Sequence, residues 1–272
     1  MAENTKKKGF ISGLLALPND NPKKTIFIAF LLCLVCSILV STSAVILKPL
    51  QVANKKADIK KNILAVTGLL TEEADVDAIF EQFETKVVNL ETGKYQDIDA
   101  ATYDQRKASS DPAQSVKLSS KQDIAGIGSR AKLATVYVLK DGDTVKQVVL
   151  PVHGYGLWST LYGFISFDAD FNTIGGLRFY QHAETPGLGG EVDNPKWRKQ
   201  WQGKKAFNDQ GELKIEVIRG FVDYKVAGSE HKVDGLSGAT LTSRGVSNLV
   251  KYWLGDHAFG PYLKNMRSEM GN

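Results

Sequence analysis

Ala134-Thr135-Val136-Tyr137-Val138-Leu139 and Val145-Lys146-Gln147-Val148-Val149-Leu150-Pro151-Val152 stand on either side of Asp141-Gly142-Asp143. Two runs rich in β-branched residues, parted by a short Asp-Gly turn, predict an antiparallel hairpin. The pattern repeats at once: Leu161 to Phe167 and Thr173 to Tyr180 flank Asp168-Ala169-Asp170-Phe171-Asn172. Consecutive hairpins build an antiparallel sheet, because parallel neighbours need long crossovers. Outward from this centre, Thr85 to Leu90 and Leu213 to Ile218 read as further strands. Asn194 caps a short helix with Pro195 at its first position, running to about Trp201. Helical periodicity gathers at both ends: Ala57 to Leu70 and Thr71 to about Phe83 before the strands, Leu241 to Leu254 and Ala258 to Met270 after them. Glu91 to Ser129 is polar with little periodicity and reads as a loop. Strands in the middle and helices at the ends predict an α+β fold, a mainly antiparallel sheet flanked by helices.

One segment does not belong to that fold. Thr25 to Leu47 lacks charged residues and is rich in Ile, Leu, Val and Phe. Its roughly 23 residues at ~1.5 Å rise give ~35 Å of helix, enough to cross a bilayer core. Ser41-Thr42-Ser43-Ala44 resembles a leader-peptide exit site, but the apolar run continues through Val45 to Leu47. The chain then divides into a tail over 1–24, a transmembrane helix over 25–47 in contact with lipid, and an exported domain over 48–272. Lys6, Lys7, Lys8, Lys23 and Lys24 before the span balance Lys48, Lys55, Lys56, Lys60 and Lys61 after it, so lysine counting sets no orientation. A short tail that stays inside needs no translocation, which places the N-terminus in the cytoplasm and the domain outside. Cys33 and Cys36 form a C-x-x-C within the apolar helix. A redox motif needs solvent and a helix N-terminus, so they read as small hydrophobes.

Composition excludes several functions. Thirty-four Lys and Arg against 30 Asp and Glu leave a net charge of +4, and the lysines are spread along the chain. Without a basic block interleaved with aromatics, nucleic acid is not an expected partner. His153, His182, His231 and His257 are scattered and form no i,i+4 pair, so no metal site is expected. No G-x-S-x-G elbow occurs, so no hydrolase nucleophile is expected, and no catalytic acid, base or nucleophile stands out.

Asp234-Gly235-Leu236-Ser237-Gly238-Ala239-Thr240 leads directly into the helical pattern at Leu241. Backbone amides at a helix start attract phosphate, and Gly238 permits a turn that aims further amides inward. A phosphate esterified to Thr240 would meet the amides of Leu241 and Thr242, with the hydroxyls of Ser237, Thr242 and Ser243 and with Arg244 nearby. A plain helix cap is the simpler reading of Ser-Gly-Ala-Thr, although a cap has no need of Asp234. Two other segments can face a flat ring. Gly154-Tyr155-Gly156-Leu157-Trp158 lies between strands and lacks the third glycine of a dinucleotide fingerprint. His182-Ala183-Glu184-Thr185-Pro186-Gly187-Leu188-Gly189-Gly190 follows a strand. Trp158, Leu157 and Leu188 are candidates to pack on the ring; Glu184, Thr185 and the Gly187 backbone are candidates for its polar edge.

These segments carry a resemblance. Leu34 to Ser41, the Gly154 to Trp158 turn, His182 to Gly189 and the heptapeptide ending at Thr240 together resemble the C subunit of the bacterial sodium-translocating NADH:quinone reductase, over nearly the whole chain. The resemblance implies one membrane helix in the bacterial inner membrane and a periplasmic FMN-binding domain. It implies FMN joined through its phosphate to Thr240, the last residue of Ser237-Gly238-Ala239-Thr240. It further implies a flavin transferase that reads Asp234 and Gly235 during maturation, and partnership with the other subunits of the pump. By the same resemblance, electrons from NADH reach this FMN from iron–sulfur centres and leave through further flavins to a quinone while sodium is exported. The G subunit of the Rnf electron-transport complex shares the acceptor motif but is generally shorter, and the stretch from about Thr85 to Gly128 favours the pump subunit. The reading from another class is a tethered structural module without flavin.

Overall fold

The runs on either side of Asp141-Gly142-Asp143 alternate between two buried faces, which is why they are apolar at almost every position. In the computed structural model, which describes residues 17–270, β5 (Leu133–Asp141) pairs antiparallel with β6 (Thr144–Tyr155), with Tyr137 opposite Val149. β7 (Thr160–Asp168) and β8 (Ile174–Gln181) form the second predicted hairpin. β1 (Phe83–Asn89) and β2 (Tyr95–Gln96) complete a six-stranded sheet in the order β2-β1-β5-β6-β7-β8, antiparallel throughout. The expected α+β class and sheet are therefore present.

Side chains one residue apart on a strand point to opposite faces. Val148, Leu150 and Val152 lie in one buried cluster, with α5 (Thr240–Leu254) and α6 (Gly260–Met270) supplying Val246, Leu249, Trp253, Tyr262 and Leu263. Val149, with Leu139, Phe83 and Phe164, lies in the other, against Ile63, Leu64 and Val66. Each fully buried Leu, Ile, Val or Phe contributes roughly 1.5–3 kcal/mol, so both faces fix the sheet register.

The helices differ from expectation in extent. The apolar run and the amphipathic segment after it form one helix, α1 (Pro22–Val66), with Pro49 inside it. The helix stops at Val66 rather than Leu70; Gly68 beyond it takes a positive φ of 77°, as helix ends favour. Among the described residues α1 is the one helix long and apolar enough to cross a membrane. The chain divides into two compact units after Ala57, so the last turns of α1 pack within the second unit. The helix expected over Thr71 to Phe83 shrinks to α2 (Val76–Phe80), because Asp75 rather than Thr71 caps it, accepting from the amides of Asp77 and Ala78.

The stretch expected as a loop is well structured. It holds β2, α3 (Gln105–Ser110) capped by Asp104, and a small hairpin of β3 (Ser115–Lys117) with β4 (Ser129–Ala131). Its order comes from polar contacts that periodicity does not reveal: Asp123 accepts from the amides of Ile127 and Gly128, and the Tyr103 hydroxyl donates to the Leu133 carbonyl at 2.9 Å. α4 (Pro195–Lys199) starts at Asn194 as expected but ends two residues short of Trp201. Of the strand expected over Leu213 to Ile218, only β9 (Glu216–Val217) pairs regularly, parallel to β10 (Lys232–Val233). That pairing places the chain entering Asp234 beside α5.

Candidate functional site

Three separate segments meet at one carboxylate. Glu184 lies in the loop after β8 and is only 5% exposed. Its Oε1 accepts from the amides of Leu157 and Trp158 at 3.0 Å and of Ser159 at 3.3 Å, all in the turn between β6 and β7. Its Oε2 accepts from the Thr242 hydroxyl at 2.7 Å, in the first turn of α5. Burial raises the pKa of this carboxyl, but hydrogen bonds from Trp158, Thr242, Leu157 and Ser159 outweigh burial and hold it below the ordinary glutamate value. A Cβ on Gly189 would sit 2.6 Å from both Glu184 Oε2 and the Thr242 hydroxyl, so only glycine lets the loop close over this bond.

His182 fixes the entry to that loop. Its Nε2 meets Asp193 Oδ2 at 2.8 Å and its Nδ1 accepts the Glu184 amide at 3.2 Å. An accepting Nδ1 requires the proton on Nε2, so the ring donates to Asp193. At the far end of the loop Leu188 reaches the turn that leads into α5: a Cβ on Gly238 would stand 3.0 Å from Leu188 Cδ2. Gly238 also has a φ of +72°, the left-handed region that glycine enters without strain.

Thr240 is the first residue of α5 and is exposed. No side chain caps this helix start. The Ser243 amide bonds to the Ala239 carbonyl at 2.9 Å, whereas the amides of Thr240, Leu241 and Thr242 have no acceptor among the described residues. Uncapped amides carry the positive end of the helix dipole and suit a phosphate. Thr240 also lines a cavity of about 310 Å³ with Arg219, Arg244, Ser247, Asn248 and Lys251. Lys251 pairs with Glu216 at 2.7 Å, while Arg219 and Arg244 form no ion pair among the described residues. Around the same point, Trp158 (67% exposed), Leu241 (46%), Leu188 (45%) and Leu157 (36%) leave apolar surface uncovered. A second cavity of about 370 Å³ lies along Gly235, Leu236 and Ser237 on the side of Trp197 and Phe221.

The structure thus brings together Leu157, Trp158, Glu184, Thr185, Gly187 and Leu188 with the stretch from Ser237 to Thr242, through Glu184 and the Leu188–Gly238 contact. Ser237, Thr185 and Gly187 are exposed, and the Thr185 carbonyl closes the loop by accepting from Leu188 and Gly190. Several of the expected site residues are also engaged by the protein itself. Glu184, expected at the polar edge of a ring, has both oxygens engaged by the protein. The Thr242 hydroxyl is fully buried and directed at Glu184, and Ser243 Oγ, also buried, accepts the Leu236 amide at 2.8 Å. Ser243 nonetheless lines the cavity beside Thr240. Asp234, expected as a recognition residue, holds the fold: its Oδ1 accepts the Val222 amide at 2.7 Å, its Oδ2 accepts from Gln200 at 3.0 Å, and its carbonyl accepts from the Trp197 indole at 2.8 Å. Gly235 approaches the Ile218 carbonyl within 2.5 Å of a would-be Cβ. Phe221, Arg219 and Lys251 were missed: Lys251 lies about three turns along α5 from Thr240, and the segment bearing Arg219 and Phe221 follows β9, whose pairing with β10 no local pattern signals. No group of three or more His, Cys, Asp or Glu able to hold a metal occurs among the described residues.

The FMN-binding domain family matches residues 156–255, the span from the Gly156 turn to the end of α5. Over 254 residues the chain is 49% identical to the C subunit of the Na+-translocating NADH-quinone reductase of Vibrio anguillarum, covering 93% of this chain and 98% of that one. The crystal structure of NqrC from Shewanella oneidensis is similar with a TM-score of 0.72 at 34% identity, covering 79% of this chain and 99% of that one. The crystal structure of the C subunit of the Na+-translocating NADH-quinone reductase from Parabacteroides distasonis gives 0.61 at 29% identity, over 80% and 96%.

Proposed function

Because the chain belongs to the C-subunit family of the Na+-translocating NADH-quinone reductases, we propose that it is the membrane-anchored electron carrier of such a complex, with FMN ester-linked through its phosphate to the Thr240 hydroxyl. It is a subunit of an oxidoreductase complex and contains an FMN-binding domain.

The observation that carries it is the setting of Thr240. An exposed hydroxyl stands at an uncapped helix start, with three amides lacking acceptors and Arg219 and Arg244 lining the adjoining cavity. At a plain helix start water takes such amides; a phosphate singly charged after esterification fits them in its place. Trp158, Leu157, Leu188 and Leu241 offer the apolar surface an isoalloxazine ring needs. Bound FMN supplies reversible electron uptake, and the protein supplies position and electrostatics. The Glu184 brace fixes the Trp158 turn against α5, and its fixed negative charge opposes added negative charge nearby.

The apolar run within α1 supports a single membrane span over 25–47, with the tail over 1–24 in the cytoplasm and the FMN-binding domain over 48–272 in the periplasm. The tail falls mostly outside the described residues. A flavin transferase acts during maturation, and Asp234 and Gly235 serve it by holding the acceptor loop in shape. The test is in-gel flavin fluorescence of denatured chain co-produced with the transferase: wild type fluoresces and Thr240→Ala is dark. A fluorescent Thr240→Ala band contradicts the assignment. A reporter fused after Asn272 is expected to be active only outside the cytoplasm.

A further inference from the structure

Away from Thr240, two adjoining cavities of about 250 and 640 Å³ share Arg178 of β8 and Arg198 of α4. Their walls come from the last turns of α1 (Asn62, Ala65, Val66), from β8 and from α4, with Lys199 at the smaller cavity. The Arg178 Nε donates to Asn62 Oδ1 at 2.6 Å, and Asn62 is itself tied to the Asp58 carbonyl at 2.7 Å. The remaining guanidinium nitrogens of Arg178 and those of Arg198 have no acceptor among the described residues, and neither arginine has a carboxylate within 4.0 Å. The one acid in either lining, Asp193, is taken by His182. Burial, and then the neighbouring charge of Arg198, push the Arg178 pKa down. Two half-buried arginines and a lysine thus face one cleft that holds a single acid of their own chain, Asp193, whose charge offsets only part of theirs, an arrangement that favours entry of a further negative group.

We propose that this cleft is a contact surface for a carboxylate-bearing segment of another subunit of the complex. A guanidinium fork matches a carboxylate in two parallel hydrogen bonds, and Arg is the side chain best suited to partly desolvated pairs at interfaces. The pre-set Arg178, held by Asn62, loses little freedom on pairing. Because the chain is one subunit of a larger complex, another subunit can supply such a segment in the assembled state. The cleft also adjoins His182, which anchors the loop bearing Glu184 and Leu188, so a partner seated there bears on the flavin loop. The inference stands on the subunit assignment and does not depend on the ester at Thr240.

The test uses the whole complex, purified through a tag on a different subunit. Arg178→Glu with Arg198→Glu is compared with Arg178→Lys with Arg198→Lys. The acidic pair is expected to lower retention of this subunit by about tenfold or more, while the lysine pair keeps most of it and flavin per retained chain stays unchanged. Wild-type retention of the acidic pair overturns the proposal. In parallel, a carbodiimide is applied to the unaltered complex, where folding is not in question. Activation of a neighbouring carboxylate and attack by the Lys199 amine is expected to leave an amide joining Lys199 to an Asp or Glu of another subunit. A complex in which Lys199 is unmodified, or joined only within its own chain, overturns the proposal. Bound free phosphate at these arginines, with retention unaffected by their reversal, does the same.

Discussion

The Thr242 hydroxyl donates to Glu184 Oε2 at 2.7 Å across 58 positions of sequence, while Oε1 of the same carboxylate collects three amides of the turn bearing Trp158. One buried side chain therefore sets the spacing between the exposed indole and the start of α5. Glu184→Ala leaves three amides and a buried hydroxyl without an acceptor and is expected to cost about 3–5 kcal/mol. Glu184→Gln keeps an acceptor for the amides and can donate to the Thr242 oxygen, so about 1–2 kcal/mol is expected. Chemical denaturation of the full chain in detergent measures both. Equal losses would show that shape, and not these hydrogen bonds, sustains the turn.

Trp158 is 67% exposed and contributes little to the core. Trp158→Ala is expected to leave stability within about 0.5 kcal/mol but to alter the absorption and midpoint potential of the bound flavin. A spectroelectrochemical titration that overlays on wild type would remove Trp158 from the ring's surroundings.

His153 gives a pH dependence with a definite sign. Its ring stacks on Tyr162 at 5.3 Å and lies 4.9 Å from Trp253. Burial first, then the Arg106 charge, lower its pKa from 6.5 to about 4. Below pH 6.5 the unfolded chain takes up this proton and the folded chain does not, until pH nears 4. Stability is thus fully present above pH 6.5 and declines as pH falls towards 4. His153→Phe is expected to flatten that decline, as read from denaturation midpoints between pH 7 and pH 4. An unchanged slope would assign the acid sensitivity to other groups.

Gly189→Ala places a methyl carbon 2.6 Å from both Glu184 Oε2 and the Thr242 hydroxyl. It is expected to break the brace and cost about 1–3 kcal/mol, with reduced flavin incorporation in the co-production assay. Full incorporation with wild-type stability would mean that the loop closes by another route.

The two hairpins were legible because strands buried on both faces leave long β-branched runs around turn residues, and the start of α5 was legible because Ser, Gly and Thr precede its apolar stripe. The join of α1 was not: the lysines from Lys48 to Lys61 interrupt the apolar run, yet the helix continues through Pro49 to Val66. The order between Glu91 and Ser129 rests on single polar residues that leave no periodic signal: Asp104 and Asp123 hold nearby amides, and Tyr103 reaches Leu133 on β5. The same holds within the site. Thr240, Trp158 and Leu188 were visible as motif residues, but the inward turn of Glu184 and Thr242 depends on segments 25 to 58 positions apart. Asp234 looked dispensable to a helix cap and proves to tie Val222 and Gln200 to the acceptor loop.

Intact-mass analysis of the chain isolated with its native complex, followed by fragmentation of the peptide spanning Asp234 to Arg244, tests the central assignment most directly. A mass increase of one FMN less one water is expected on Thr240, retained in Thr240→Ser and lost in Thr240→Ala. An unmodified Thr240 in the native complex, or an adduct mapped to Ser237 or Thr242, would contradict it.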